Sequence, residues 1–360
     1  MSDSVVIVAA RRTPIGAFQG VLTGATAPQL GAAAIAGALA SSGLAASDVQ
    51  EVIMGCVLPA GLGQAPARQA SLGAGIPKST GTTTINKVCG SGMKAIMLAH
   101  DLLIAGSATV AVAGGMESMS NAPHLLPGAR AGYRFGHAKV IDHMAFDGLE
   151  DAYEGAAMGV YAETCADKYS FDREAQDAYA IGSLKKAQAA IESGAFASEI
   201  TPVEVAQRSG TVMIDTDEQP GNAKPEKIPT LKPAFAKDGT ITAANASSIS
   251  DGAAALVVTK ESVAKAQGLP IAARIIAWAT NSQEPAKFTS APVPAIRKVL
   301  EKAGWTVDDV DLFEINEAFA MVPMIAMKEL GIPAEKLNVN GGATALGHPI
   351  GASGARIIAT

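Results

Sequence analysis

Along the first third of the chain, short runs of β-branched and apolar residues alternate with longer Ala-rich stretches. This pattern predicts strands at residues 5–9, 52–57, 82–88 and 109–113. Helices are predicted at 27–42, ending near Gly43, at 65–73, and at 93–105, stopped by Gly106. Strands alternating with helices argue for βαβ units and a largely parallel sheet. From about Asn121 to Ser250 the rhythm breaks into Pro, Gly and charge, with one clear helix at 173–193. Within that insertion, 123–136 and 215–232 read as surface excursions, where binding residues often sit. After Asp251 the rhythm returns: strands at 253–258, 274–279, 311–315 and 337–340, helices at 293–303 and 317–330, then a glycine-rich turn and a last helix. Residues 86–95 and 338–355 share one local order: strand, glycine turn with Ser-Gly, helix. We read this as a duplicated α/β unit. The domains expected are 1–120 plus 250–271, an inserted loop domain at 121–249, and a second half at 272–360.

Composition narrows the classes. The chain has 360 residues, 48% of them apolar and 17% charged, which supports a large buried core and excludes a disordered protein. Its 37 glycines and few aromatics (4%) suit closely packed layers. A net charge of −6 without a basic stripe argues against a nucleic-acid partner. No uncharged apolar run reaches the roughly 18 residues of a spanning helix, so no membrane partner is expected. Cys56, Cys89 and Cys165 are an odd number without CxxC spacing, so neither a disulfide framework nor a metal site is expected, and the reading is cytoplasmic.

Candidate chemistry sits where strands end. Cys89, in Asn86-Lys87-Val88-Cys89-Gly90-Ser91-Gly92, lies at a strand-to-helix turn, where a helix N-terminus would lower the thiol pKa. The competing reading is an inert core thiol, the better reading for Cys56 and Cys165. His348 lies among Gly341, Gly342, Gly347, Gly351 and Gly354, a backbone suited to wrapping a ligand around one imidazole base. The alternative is a loop histidine capping a helix. Asn316 follows a predicted strand; it suits an oxyanion donor, but from spacing alone an N-cap is the stronger reading. Gly114-Gly115-Met116-Glu117 reads as close packing beneath the site.

Together, these motifs, the opening Ile7-Val8-Ala9-Ala10-Arg11-Arg12-Thr13-Pro14 and the run from Thr242 to Ala254 resemble the thiolase family, in order and over nearly the whole chain. The resemblance is closest to its acetyl-CoA acetyltransferase (acetoacetyl-CoA thiolase) branch. It implies an α/β fold, a five-layer αβαβα sandwich of two βαβαβαββ halves with the loop domain over the active site. It implies that Cys89 takes the acyl group, that His348 activates it, and that Asn316 holds a water which forms an oxyanion hole with His348. Ser247, Met158, Phe235, Ala243, Phe288, Ala318 and Phe319 match ligand-facing positions; Lys224, Lys227 or Lys232 could help hold the adenine and phosphates of CoA at the pocket mouth, but a solvated surface charge is at least as good a reading of each. Acetyl-CoA, acetoacetyl-CoA and CoA are the implied substrates and products, in fatty acid metabolism, with no cofactor and no metal. A homodimer through 82–88, paired into a homotetramer by 123–141, is implied as well.

Two departures stand out. Ala157 replaces the usual loop histidine, which favours a broader 3-ketoacyl chain length, while Phe288 complicates that choice. The resemblance also implies a second cysteine, in a late Cys-x-Gly, that moves the α-proton during carbon–carbon bond making or breaking; no cysteine follows Cys165, so it is missing from this sequence, and a degenerate acyl-CoA binder is the non-enzyme alternative. A decarboxylating ketoacyl synthase is disfavoured by the Asn316 motif and Ser247. If Ser91-Gly92 and Ser353-Gly354 are equivalent, Leu98 pairs with Thr360, and the first repeat continues through a strand. The second repeat thus lacks a strand, and the resemblance implies that the natural chain continues for about thirty residues past Thr360, with that strand and the Cys-x-Gly.

Overall fold

β1 (Val5–Arg12) and the hairpin-like β2 (Gly16–Ala17) lead into α1 (Ala27–Ser42), which Thr26 caps in a capping box with Gln29 and Gly43 ends in the left-handed conformation. Then follow β3 (Glu51–Gly55), α2 (Pro66–Gly73), β4 (Gly81–Ile85), α3 (Ser91–Ala105) and β5 (Val110–Ser118). The inserted region carries two small hairpins, β6 (His124–Leu125) with β7 (Ile141–Asp142) and β8 (Val203–Gln207) with β9 (Gly210–Ile214). Its helices are α4 (Met158–Tyr169), α5 (Arg173–Ser193) and the short α6 (Glu218–Asn222). The chain returns through β10 (Ser250–Lys260), α7 (Glu261–Gln267) and β11 (Ala273–Arg274). The last third is helical: α8 (Pro292–Ala303), α9 (Met321–Leu330), α10 (Ala343–Leu346) and α11 (Ser353–Ala359). The structure is a computed structural model and describes residues 3–207 and 210–360.

One mixed sheet dominates, in the order β11-β1-β10-β5-β3-β4 with β2 beside β10. β3 is parallel to β4 and β5; β10 is antiparallel to β1 and β5. The central residues of β1, β3, β5 and β10 are apolar on both sides because both faces of the sheet are covered. Val6, Val8, Val112 and Val257 face α1 and α2, whereas Val5, Ile7, Ala113 and Leu256 face α3 and α11. Residues 88–105 are long and apolar enough to cross a membrane by composition, but they include Lys94 and Asp101, and Ala95, Ile96, Ala99 and Leu103 pack on the sheet.

The two Ser-Gly turns read as a repeat pack on each other where α3 crosses α11. A Cβ on Gly92 would lie 2.7 Å from the backbone nitrogen of Ala355, and one on Gly354 2.5 Å from that of Met93. The two Ser-Gly pairs thus meet each other across one helix crossing.

The strands expected in the second half depart from the sequence reading. Of 274–279 only Arg274 is in a ladder, forming with Ala273 a two-residue edge on β1. Residues 311–315 and 337–340 meet in a single bridge, Phe313 to Leu337. Neither has a ladder partner among the described residues, and Phe313 and Ile315 line an apolar cavity. Alternating apolar residues alone cannot form a strand without a neighbour to take the backbone hydrogen bonds. α9 likewise starts at Met321 rather than 317, leaving 316–320 outside the helix.

Candidate active site

Cys89 sits two residues before α3, on a turn whose backbone is strained. Val88 has φ of +46°, a left-handed conformation that a β-branched residue adopts at a cost of roughly 1–3 kcal/mol. Short bonds hold it there. Asn86 Oδ1 accepts from the Val88 N–H at 2.8 Å, and Ser91 Oγ accepts from the Lys87 N–H at 2.7 Å while donating to the Val88 carbonyl at 2.6 Å. The strain therefore places the thiol at the wall of the cavity.

His348 lies between α10 and α11, 5% exposed. Its Nδ1 is 2.6 Å from Ser353 Oγ. That hydroxyl donates its only proton to the Pro349 carbonyl at 3.0 Å, so it accepts from Nδ1–H. The tautomer is thereby assigned: the lone pair is on Nε2, which lies 3.4 Å from Asn316 Nδ2. Burial, then the charge of Arg356, push the imidazole down to about 4, so it is a neutral acceptor at pH 7. Asn316 Oδ1 is buried without a hydrogen-bond partner, an acceptor free for a water or ligand.

The expected lowering of the Cys89 pKa is not found. Burial, opposed in part by a backbone hydrogen bond and assisted by the charge of Glu117, pushes the thiol up to about 11. One turn of helix does not offset the loss of water around sulfur. Thiol and imidazole are both neutral at rest, and no hydrogen bond joins them among the described residues.

The sequence alternatives resolve on geometry. Asn316 is not an N-cap, because α9 begins five residues later with Ala320 at its cap. His348 caps nothing, since α11 has no side-chain cap. Cys165 is core in α4; Cys56 is buried just past β3, its Sγ 3.7 Å from Glu117. The glycines around His348 wrap the protein's own groups rather than a ligand. A Cβ on Gly342 would lie 2.3 Å from the Glu317 carboxyl carbon, one on Gly351 2.6 Å from Glu117 Oε2, and one on Gly347 2.3 Å from Ser250 Oγ.

Those partners were missed as functional residues. Glu117 does more than pack: it accepts from the N–H groups of Val57, Leu58 and Gly351 at 2.9–3.1 Å. Burial pushes it up to about 7 against those bonds. Ser353, five residues after His348, carried no signal beyond its place in the glycine-rich run.

Cys89, Asn316 and His348 all line one cavity of about 1990 Å³, and so do Ser247, Met158, Phe235, Ala243, Phe288, Ala318 and Phe319. That volume exceeds the roughly 300–1,000 Å³ of an ordinary ligand pocket, because the space also runs between α3, α8 and α11. Phe235 and Phe288 each meet Phe319 edge-on, at 6.1 and 6.2 Å between ring centres. Gly159 makes room for Phe235, whose ring would lie 2.3 Å from a Cβ there. The Ser247 N–H donates to the Ala318 carbonyl at 2.9 Å and Ala246 bridges Phe319, so the inserted region and the Asn316 segment are stitched together at the wall. Ala157 lines the cavity beside Met158. Lys224, Lys227 and Lys232 do not line it; they are exposed surface charges.

A thiol held on a strained turn and a buried neutral imidazole, its Nε2 accepting only a long contact from the Asn316 amide, define a site for acyl transfer through sulfur. Comparison with known proteins places that site in a family. The description "Thiolase, N-terminal domain" matches residues 5–262 and "Thiolase, C-terminal domain" residues 269–360. This chain belongs to the thiolase family. It is 53% identical over 360 residues to an acetyl-CoA acetyltransferase of Pseudomonas aeruginosa, covering 99% of this chain and 92% of that protein. A Cupriavidus necator acetyl-CoA acetyltransferase is 51% identical, covering 100% and 92%. Among solved structures, the Acat5 thiolase from Ascaris suum in complex with coenzyme A superposes with a TM-score of 0.94 at 45% identity, covering 99% of this chain and 92% of that one. The fold is thus a thiolase fold.

Proposed function

We infer that this chain is an acetyl-CoA C-acetyltransferase, condensing two acetyl-CoA reversibly to acetoacetyl-CoA and CoA through an acyl-Cys89 intermediate. The observation that carries the reading is the meeting of Cys89, Asn316 and His348 on one apolar cavity, with the lone pair of His348 on Nε2. Relatives named acetyl-CoA acetyltransferase at about half identity over the full chain support it. In the first half-reaction His348 Nε2 takes the thiol proton as Cys89 Sγ forms a bond to the acetyl carbon. Charge develops on the thioester oxygen, where the Asn316 side chain or a water it holds stabilises it. The CoA sulfur leaves and takes the proton back from His348. A pair that is neutral at rest avoids a standing ion pair in a dry site and forms thiolate only as the carbonyl arrives. Ser247, Ala243, Phe235, Ala318, Phe319, Phe288 and Met158 make the wall along which the thioester arm lies. Turnover uses CoA thioesters as substrates, with no cofactor. Ala157 leaves room beside Met158, which favours some acceptance of longer 3-ketoacyl chains. We further propose a cytoplasmic homodimer or homotetramer serving fatty acid metabolism. The unpaired edge strand β4 and the exposed Tyr133 and Phe135 of the 123–141 excursion support that assembly.

Incubation with [¹⁴C]acetyl-CoA tests the function. Label should appear on the Cys89 peptide with one CoA thiol released per site, and Cys89→Ala should abolish it. Label retained by Cys89→Ala, or no label on the wild type, refutes the reading.

A further inference from the structure

The mechanism uses Asn316 and His348 but leaves unexplained what keeps them in register, because they come from separate segments that share no sheet. The residue beside Asn316 answers this. Glu317 is 0% exposed, and no Lys or Arg lies within ion-pair distance of it among the described residues. Five donors surround it instead. Tyr179 Oη (2.9 Å) and Asn338 Nδ2 (2.8 Å) donate to Oε1; Ser183 Oγ (2.8 Å), the Thr344 N–H (3.1 Å) and Thr344 Oγ1 (2.6 Å) donate to Oε2. Burial and then the charge of Glu317 push the Tyr179 phenol far above its ordinary value, so it stays a donor.

Three segments are gathered by this one carboxylate. Tyr179 and Ser183 belong to α5 of the inserted region, Thr344 to α10 four residues before His348, and Asn338 to the turn between. Asn338 also donates to the Ile315 carbonyl at 2.9 Å and accepts from the Ile315 N–H at 2.8 Å, clamping the chain just ahead of Asn316. Ser183 Oγ in turn accepts from the Gly342 N–H at 2.9 Å. Gly341 (φ +79°) and Gly342 leave the space: a Cβ on Gly341 would lie 2.6 Å from the Ser183 carbonyl, and one on Gly342 would enter the carboxyl group. On the far side of His348, Glu117 holds Gly351. The histidine arm is therefore suspended between two buried carboxylates, and the one upstream is covalently next to Asn316.

We propose that Glu317 is a positioning residue, setting the Asn316 amide against His348 Nε2 by binding the arms that carry them. It acts through its neighbours and touches no reacting atom. Whichever way it turned, a glutamine there would set its NH₂ against the Asn338 amide or the Thr344 N–H, neither of which accepts, and that costs more than a missing bond.

The test rests on the acyl-transfer reading for one measurement and not for the other. For the full chain and its Glu317→Gln, Thr344→Val and Tyr179→Phe variants, single-turnover acylation by acetyl-CoA is followed by intact mass, and Cys89 alkylation by iodoacetamide is followed from pH 7 to 10. Glu317→Gln should lower the saturating acylation rate by about 10–100-fold, with half-saturation moved less than about threefold. Its alkylation should slow at pH 7, where His348 must assist, and converge on the wild type by pH 10, where thiolate suffices. General loosening of the fold would not give a defect confined to neutral pH. A folded Glu317→Gln protein matching the wild type in both measurements overturns the proposal. If that variant does not fold, unchanged rates in both Thr344→Val and Tyr179→Phe overturn it instead. A wild type that is never acylated, but shows the pH-confined alkylation defect in the variants, overturns the acyl-transfer reading and supports the positioning role.

Discussion

Replacing His348 with Gln isolates the chemistry of the thiol it serves. The substitution keeps bulk and polarity but removes the base, so Cys89 must react through whatever thiolate its surroundings allow. Those surroundings raise the thiol from 9.0 to about 11. Two units mean that at pH 7 the thiolate is about a hundredfold scarcer than for an ordinary cysteine, on the order of one molecule in 10⁴. Alkylation of His348→Gln by iodoacetamide, quenched and counted on the Cys89 peptide, should rise about tenfold per pH unit from 7 to 10 without levelling. The wild type should be faster at pH 7, because neutral Nε2 accepts the proton during attack, and the two curves should approach each other near pH 10. Cys56 supplies an internal reference: burial and then Glu117 push it higher still, so it should stay unmodified. A midpoint below about 9 in the variant would refute the burial argument. Equal rates at pH 7 would refute the assignment of His348 as base.

Acylation of the wild type should be level between about pH 5 and 9 and fall only as His348 is protonated near 4, since burial depresses its pKa; a limb centred near 6.5 in the pH profile would contradict this. Gly92→Ala forces a Cβ against the Ala355 backbone nitrogen and should destabilise the chain by about 1–3 kcal/mol in urea unfolding, whereas a Cβ on Gly182 meets nothing within 4 Å, so Gly182→Ala should not destabilise.

Much of this was legible along the chain. The strands of the first half, the inserted region and the Ser-Gly repeat follow from local apolar patterning and glycine punctuation, which act over a few residues and survive in one dimension. Cys89, Asn316 and His348 stood out because each sits in a motif at the end of a run. What could not be read is whatever depends on a partner distant in sequence. The runs 311–315 and 337–340 needed neighbours that periodicity does not supply, so 311–315 stays irregular apart from one bridge and 338–340 folds as a turn. The thiol pKa was misjudged because the helix entrance is visible in sequence, while the burial that outweighs it is not. The glycines around His348 looked like a ligand cradle; only tertiary packing shows that they make room for Glu317, Glu117 and Ser250, brought from the other side of the chain. Sequence alone singled out the groups proposed to carry the chemistry. Their protonation and register were decided by the fold, because desolvation and a shared buried carboxylate exist only once distant segments have closed around them.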